Sequence, residues 1–171
     1  AVVLVGADGG FSYDPTSVLA LQQLAEGETT TDSFSYTIAD LAGETSTATV
    51  EIVVTGVNDA PVAAGDENTT DEDHAVSDNV LANDSDVDNG DSFSVSAVNG
   101  QAGNVGTAIT LASGALLTVD AAGDYSYDPN GSFETLGVGK SAFDSFTYVV
   151  SDGEAAATGT ESLWQSQGNL I

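Results

Sequence analysis

The run Asp84-x-Asp86-x-Asp88-Asn89-Gly90-Asp91 sets carboxylates at alternate positions and closes on a glycine that can turn the chain. Once the backbone turns, such carboxylates can converge on a hard divalent cation; calcium takes about six to eight oxygens from carboxylates, amides, carbonyls and water. It is not a helix–loop–helix calcium loop. The glycine falls one position late, and the twelfth residue is Val95, where that loop needs a bidentate glutamate. Upstream, Val57-Asn58-Asp59-Ala60-Pro61-Val62 adds two compact oxygen donors, Asn58 and Asp59, and a proline that stops any element from running through. The hexapeptide reads as a stiff link at a domain junction, with calcium held near it. The plain alternative is that these acids form a solvated loop, as most charge runs do.

Composition narrows the classes further. Against 27 acidic residues stands one basic residue, Lys140, for a formal charge of −26. Self-repulsion on that scale opposes a compact state unless cations screen or bind it. Nucleic acid is excluded as a partner because phosphate contacts need Lys and Arg, and an anionic membrane surface falls to the same reasoning. No Cys is present, so neither disulfides nor thiolate chemistry can operate. No apolar run approaches the roughly 18 residues of a membrane span, and membrane insertion is not expected. The chain does not open with a secretory signal, which places any export signal outside this sequence. Disorder would suit the charge, but 41% hydrophobic residues in short alternating runs predict a folded protein.

Those runs predict the elements that must position the acids. Phe34, Tyr36 and Ile38 share one strand face, as do Val50, Ile52 and Val54, then Phe93, Val95 and Ala97, and finally Phe146, Tyr148 and Val150. Gly, Asn, Asp and Ser separate them. Only Thr16 to Ala25, with Val18, Leu21 and Leu24 spaced i, i+3, i+6, reads as a short helix. The expected class is all-β, built as a Greek-key sandwich. Asp40 and Asp152 close strands in Ala-Asp-Leu and Ser-Asp-Gly, positions that suit a turn residue and also a ligand. Asp32 and Asp144 precede aromatic strands and read as turn caps.

The chain repeats itself. Gly10 to Pro15 matches Asp124 to Pro129, and Asp32-Ser33-Phe34-Ser35-Tyr36 matches Asp144-Ser145-Phe146-Thr147-Tyr148. The offset is about 112–114 residues, which sets the length of the repeating unit. Residues 1–57 then read as the C-terminal half of one sandwich repeat, 58–61 as a calcium-binding linker, and 62–160 as a nearly complete second repeat. Residues 161–171 form a divergent tail able to pair as a strand.

Residues 18–59, with Leu21, Leu24, Gly27, Asp32, Phe34, Tyr36, Asp40 and then Thr55-Gly56-Val57-Asn58-Asp59, resemble the VCBS repeat of very large bacterial surface proteins. Residues 58–152 resemble the related bacterial cadherin-like repeat through Asn58-Asp59-Ala60-Pro61, Asp71-Glu72-Asp73, Val80 to Asp86 and Ser151-Asp152-Gly153. The resemblance implies tandem cadherin/Ig-like sandwiches, calcium at their junctions, and a secreted place at the bacterial cell surface in long adhesins of the RTX or biofilm kind. It also implies that Asn58 and Asp59 share ions with Glu72 or Asp73 and with the Asp86/Asp88 pair.

No nucleophile–base arrangement can be assembled around His74, Lys140 and no Cys. Carboxylate pairs for glycoside hydrolysis are plentiful, but nothing singles one out. An enzyme is not expected. The function expected is a calcium-rigidified spacer whose partners are adjacent repeats of the same chain. One rival is a self-assembling fibre subunit, a homopolymer in which Ala156 to Ile171 completes residues 1–57 of a neighbouring copy. Another is a module that binds surface glycans on Tyr13, Tyr36, Tyr125, Tyr127 or Trp164, although core packing is the stronger expectation for the repeated tyrosines.

Overall fold

The computed structural model describes residues 1–166. These residues are almost wholly strands and turns and divide into two compact units, Ala1–Asp59 with Val87–Asp91, and Ala60–Asp86 with the chain from Ser92 onward.

In the first unit, β1 (Val2–Val5) and β2 (Phe11–Asp14) form one antiparallel hairpin. After a single helical turn, α1 (Leu19–Gln22), β3 (Thr29–Ala39) and β4 (Thr45–Thr55) form a second, longer hairpin. The helix is shorter than the apolar spacing predicts. No side chain caps its start at Val18, and the chain has already left helical geometry at Gln23. Gly56 is held close to Leu24 and Ala25, where an added Cβ would lie 2.2 Å from a backbone oxygen, so only glycine fits. The alternating faces of β3 and β4 form as expected: Phe34, Val50, Ile52 and Val54 are half-buried, but towards the β3–β4 turn Tyr36 is 40% and Ile38 61% exposed.

The second unit carries the core. Its strands are β5 (Asp66–Thr70), β6 (Val76–Asn79), β7 (Ser94–Val98), β8 (Ile109–Thr110), β9 (Leu116–Val119), β10 (Asp124–Asp128), β11 (Ser141–Ser151) and β12 (Ala156–Ser166). They form two four-stranded sheets, ordered β6-β10-β9-β8 and β5-β12-β11-β7. Leu117, Val119, Tyr125 and Tyr127 from the first sheet meet Phe146, Tyr148, Val150 and Leu163 from the second in one buried cluster. The all-β sandwich expected from the sequence is the fold observed. β12 pairs antiparallel with β11 along its whole length and parallel with β5 from Glu161 to Gln165. Residues 167–171, the rest of the divergent tail, lie outside the described residues.

The internal repeat extends to specific bonds. The Tyr13 hydroxyl donates to Asp32 Oδ2 at 2.8 Å, and its counterpart Tyr127 donates to Asp144 Oδ2 at 3.2 Å. Asp32 and Asp144 therefore sit inside β3 and β11 as partners of a tyrosine, where the sequence suggested turn caps. Asp40 Oδ1 accepts the Ala42 and Glu44 N–H groups, both at 2.9 Å, and closes the β3–β4 turn. Asp152 Oδ1 does the same between β11 and β12 with Glu154 and Ala155, both at 2.7 Å.

Candidate metal centre

The acidic run beginning at Asp84 leaves β6 and turns without entering another strand. Its start is fixed by a two-bond bridge between Val62 and Ser85, at 2.7 and 3.2 Å. Gly90 takes a φ of +85°, in the left-handed region that other residues resist, and this swings Asp91 back towards the acids before it. Oxygens of Asp86, Asp88 and Asp91 consequently all lie within 4.8 Å of one another. Asp88 is only 5% exposed, and its Oδ2 accepts the Asp59 backbone N–H at 2.8 Å.

Three carboxylates at this spacing repel by on the order of 3 kcal/mol per pair at an effective dielectric near 20. Removing one of them from water adds a desolvation cost unless a counter-charge is present. The chain's single basic residue, Lys140, cannot neutralise three acids. The donor set is all oxygen, with no His or Cys in the cluster, and this suits calcium, magnesium or manganese rather than a softer metal. The residues fit a hard divalent cation.

Of the residues singled out in the sequence, the structure brings Asp86 and Asp88 together and adds Asp91. Asp59 reaches them through its backbone N–H, while the Asn58 amide donates to the Asp59 carbonyl at 2.9 Å. Asp84 is engaged elsewhere. Its Oδ1 accepts the Ala64 N–H at 2.8 Å, and both its oxygens lie 3.2 Å from the Tyr148 hydroxyl. Among the described residues, Glu72 and Asp73 do not join the cluster. Glu72 keeps Oε2 buried and without a hydrogen-bond partner, and the Asp73 N–H donates to Asp71 at 3.1 Å. Asp152 holds its turn. Asp91 stood within the quoted motif, but its contribution depends on the turn at Gly90 and so breaks the alternation that marked the others.

Residues 58–164 match the family model described as bacterial cadherin-like domain, which spans more than half of the chain. The chain belongs to the bacterial cadherin-like domain family. The cadherin-like match begins at Asn58 and ends at residue 164, so it contains residues 58–61, the acidic loop and all of both four-stranded sheets but the last two residues of β12. Residues 1–53, which overlap the stretch 18–59 read above as resembling the VCBS repeat, match the bacterial Ig domain model. This cadherin-like chain is also similar to the calcium-binding lectin RapA2 of Rhizobium johnstonii. The two are 30% identical over 178 residues, covering 93% of this chain and 72% of RapA2.

Proposed function

We propose that this chain is a calcium-rigidified, non-enzymatic spacer in a secreted bacterial surface adhesin of the VCBS and RTX type, serving adhesion and biofilm formation. The observation that carries this reading is the convergence of Asp86, Asp88 and Asp91 beside the Asp59 backbone, in a chain with one basic residue. An ion there would tie the acidic loop to the residue preceding Ala60-Pro61. Extracellular calcium modules work at about 10⁻⁴ to 10⁻³ M, so occupancy would follow the medium outside the cell. The calcium-binding character named for RapA2 supports the choice of ion.

The word lectin in that relative's description favours a second reading, a carbohydrate-binding module. Tyr125 and Tyr127 are buried and unavailable for stacking on sugars, whereas Tyr36 is 40% exposed. Fibre assembly by donation of Ala156–Ser166 has less support, because that strand would first have to leave both β11 and β5.

The test is calcium titration of the whole chain and of Asp88→Asn, followed by thermal unfolding and light scattering. The spacer reading expects a higher melting temperature at unchanged mass, with the loop site's share of the gain lost in Asp88→Asn. A calcium-dependent rise in mass would favour the fibre. Unchanged melting in both proteins would sink the calcium reading, and binding on a glycan array with Tyr36-dependent affinity would favour the lectin.

A further inference from the structure

The repeat that equates Phe34 with Phe146 also equates their cross-strand partners. Phe34 faces Val50 across β3–β4, whereas Phe146 faces Glu161 across β11–β12. The fold therefore accepts an apolar residue at this register position, yet the second unit places a carboxylate there, 1% exposed. Glu161 Oε1 accepts the Tyr125 hydroxyl at 3.0 Å. Among the described residues Oε2 has no hydrogen-bond partner. Such a group is costly to bury unpaired, and more so when charged.

The surroundings of Glu161 supply further acids and no base. Asp66 lies beside it in the parallel β5–β12 register, and Asp78 lies opposite Tyr125 in β6–β10. Asn68 on β5 bridges the two sheets: its amide donates to the Tyr125 hydroxyl at 2.9 Å and lies 3.4 Å from Asp78 Oδ2. These side chains border a cleft of about 400 Å³ that Asp66, Glu67, Asp78, Asn83, Tyr125 and Glu161 line together. Burial is the main reason the Glu161 carboxyl is pushed up to about 7, opposed by the Tyr125 bond and reinforced by Asp66, Asp78 and Glu67. Asp66 is raised as well, first by burial. A polar, carboxylate-lined cleft with an unsatisfied buried oxygen and no Lys or Arg in its lining calls for a cation.

We propose that this cleft is a second cation site, in which one hydrated divalent ion of the calcium class is held by Glu161 Oε2 with Asp66 and Asp78. The three carboxylates do not converge as tightly as those of the acidic loop, so water completes the shell. The ion would join β5 and β12 of one sheet to β6 of the other, a cross-link between sheets in a chain without cysteine. It goes beyond the loop-centre reading, since the two sites share no residue.

The experiment counts bound calcium by equilibrium dialysis of the whole chain against calcium chloride alone. The proteins compared are the natural sequence, Asp88→Asn, Glu161→Gln and Glu161→Val. Both Glu161 variants are expected to bind one ion fewer than the natural chain, and Asp88→Asn is expected to keep that ion. In chelator, Glu161→Val should melt no lower than the natural chain, because the buried charge has gone. The Glu161 side-chain carboxyl carbon, followed by NMR in the natural chain, should shift on calcium addition even if a variant fails to fold. Equal ion counts in Glu161→Gln and the natural chain, or a Glu161 carbon unmoved by saturating calcium, would overturn the second site. Loss of an ion in the Glu161 variants with none lost in Asp88→Asn would instead overturn the loop centre and leave this site standing.

Discussion

At the scale of single residues, the repeated tyrosine–aspartate bonds allow a paired comparison. Tyr127 is fully buried and Tyr13 is half-buried, yet each donates to the aspartate of its own unit. A hydrogen bond to a charged group contributes about 1.5–3 kcal/mol when buried and less when water competes for it. Tyr127→Phe is therefore expected to lower stability towards urea by an amount in that range, and Tyr13→Phe by clearly less. Equal losses would mean that burial is not what sets the value of the bond. His74 offers a pH-dependent case: its Nδ1 lies 2.6 Å from Asp71 Oδ1. Hydrogen bonding and charge attraction raise the His74 pKa from 6.5, and the bond from His74 is the main cause lowering Asp71 from 3.8. The contribution of the raised histidine is complete below 6.5 and fades as pH rises through its folded value. That of the lowered aspartate is complete above 3.8 and fades as pH falls through its own. The pair thus acts fully between those two ordinary values. Proton NMR titration should find the His74 midpoint above 6.5, and Asp71→Asn should return it towards that value. Both groups are exposed, so global stability should hardly move.

At the scale of elements, β11 and β12 show how one strand constrains another. Gly159 faces Tyr148, and a Cβ on Gly159 would lie 2.3 Å from the tyrosine ring. In the first unit the equivalent pair is Tyr36 with Ala48, and Tyr36 is 40% exposed where Tyr148 is fully buried. Gly159→Ala should therefore push the Tyr148 ring off Asp66 and Asp84, costing about 1–3 kcal/mol by overpacking. A variant that melts like the natural chain, with unaltered tyrosine fluorescence, would contradict this. The same strands show what the sequence could and could not disclose. Alternation of Phe146, Tyr148 and Val150 revealed a buried strand face because that pattern is local, and the repeat revealed the hairpins for the same reason. Asp86 and Asp88 were visible because a spacing of two survives a loop. Asp84 followed the same spacing, but its carboxylate is occupied by Tyr148, 64 residues away, a partner that no local pattern encodes. Asp32 and Asp144 looked like turn caps because their tyrosine partners lie on other strands. Glu161 was hidden for a related reason. Only the register of β12 against β5 and β11 places an ordinary-looking acid of the tail under Tyr125.

For the whole molecule the governing quantity is a formal charge of −26 spread over 171 residues. Two effects of added cations must be separated. Diffuse screening acts on every exposed acid and depends only on ionic strength, with a Debye length of about 8 Å at 0.15 M. Site binding acts where carboxylates converge, as at Asp86, Asp88 and Asp91, and depends on the identity of the ion. An ion present at 100 times its dissociation constant adds about 2.7 kcal/mol per site. In a domain of about 100 residues, that amounts to roughly 10 °C or more in melting temperature. Chelator-treated protein should therefore melt low and recover gradually with sodium chloride. At matched ionic strength, calcium chloride should raise the melting temperature by about 10 °C beyond sodium chloride, with magnesium falling between them because it gives up its water reluctantly. Asp88→Asn should remove the loop site's part of this excess while leaving the sodium response intact, since one charge in 27 hardly alters the diffuse field. If calcium and sodium gave the same melting temperature at equal ionic strength, cation screening would account for the whole effect, and the converging aspartates would hold no specific ion.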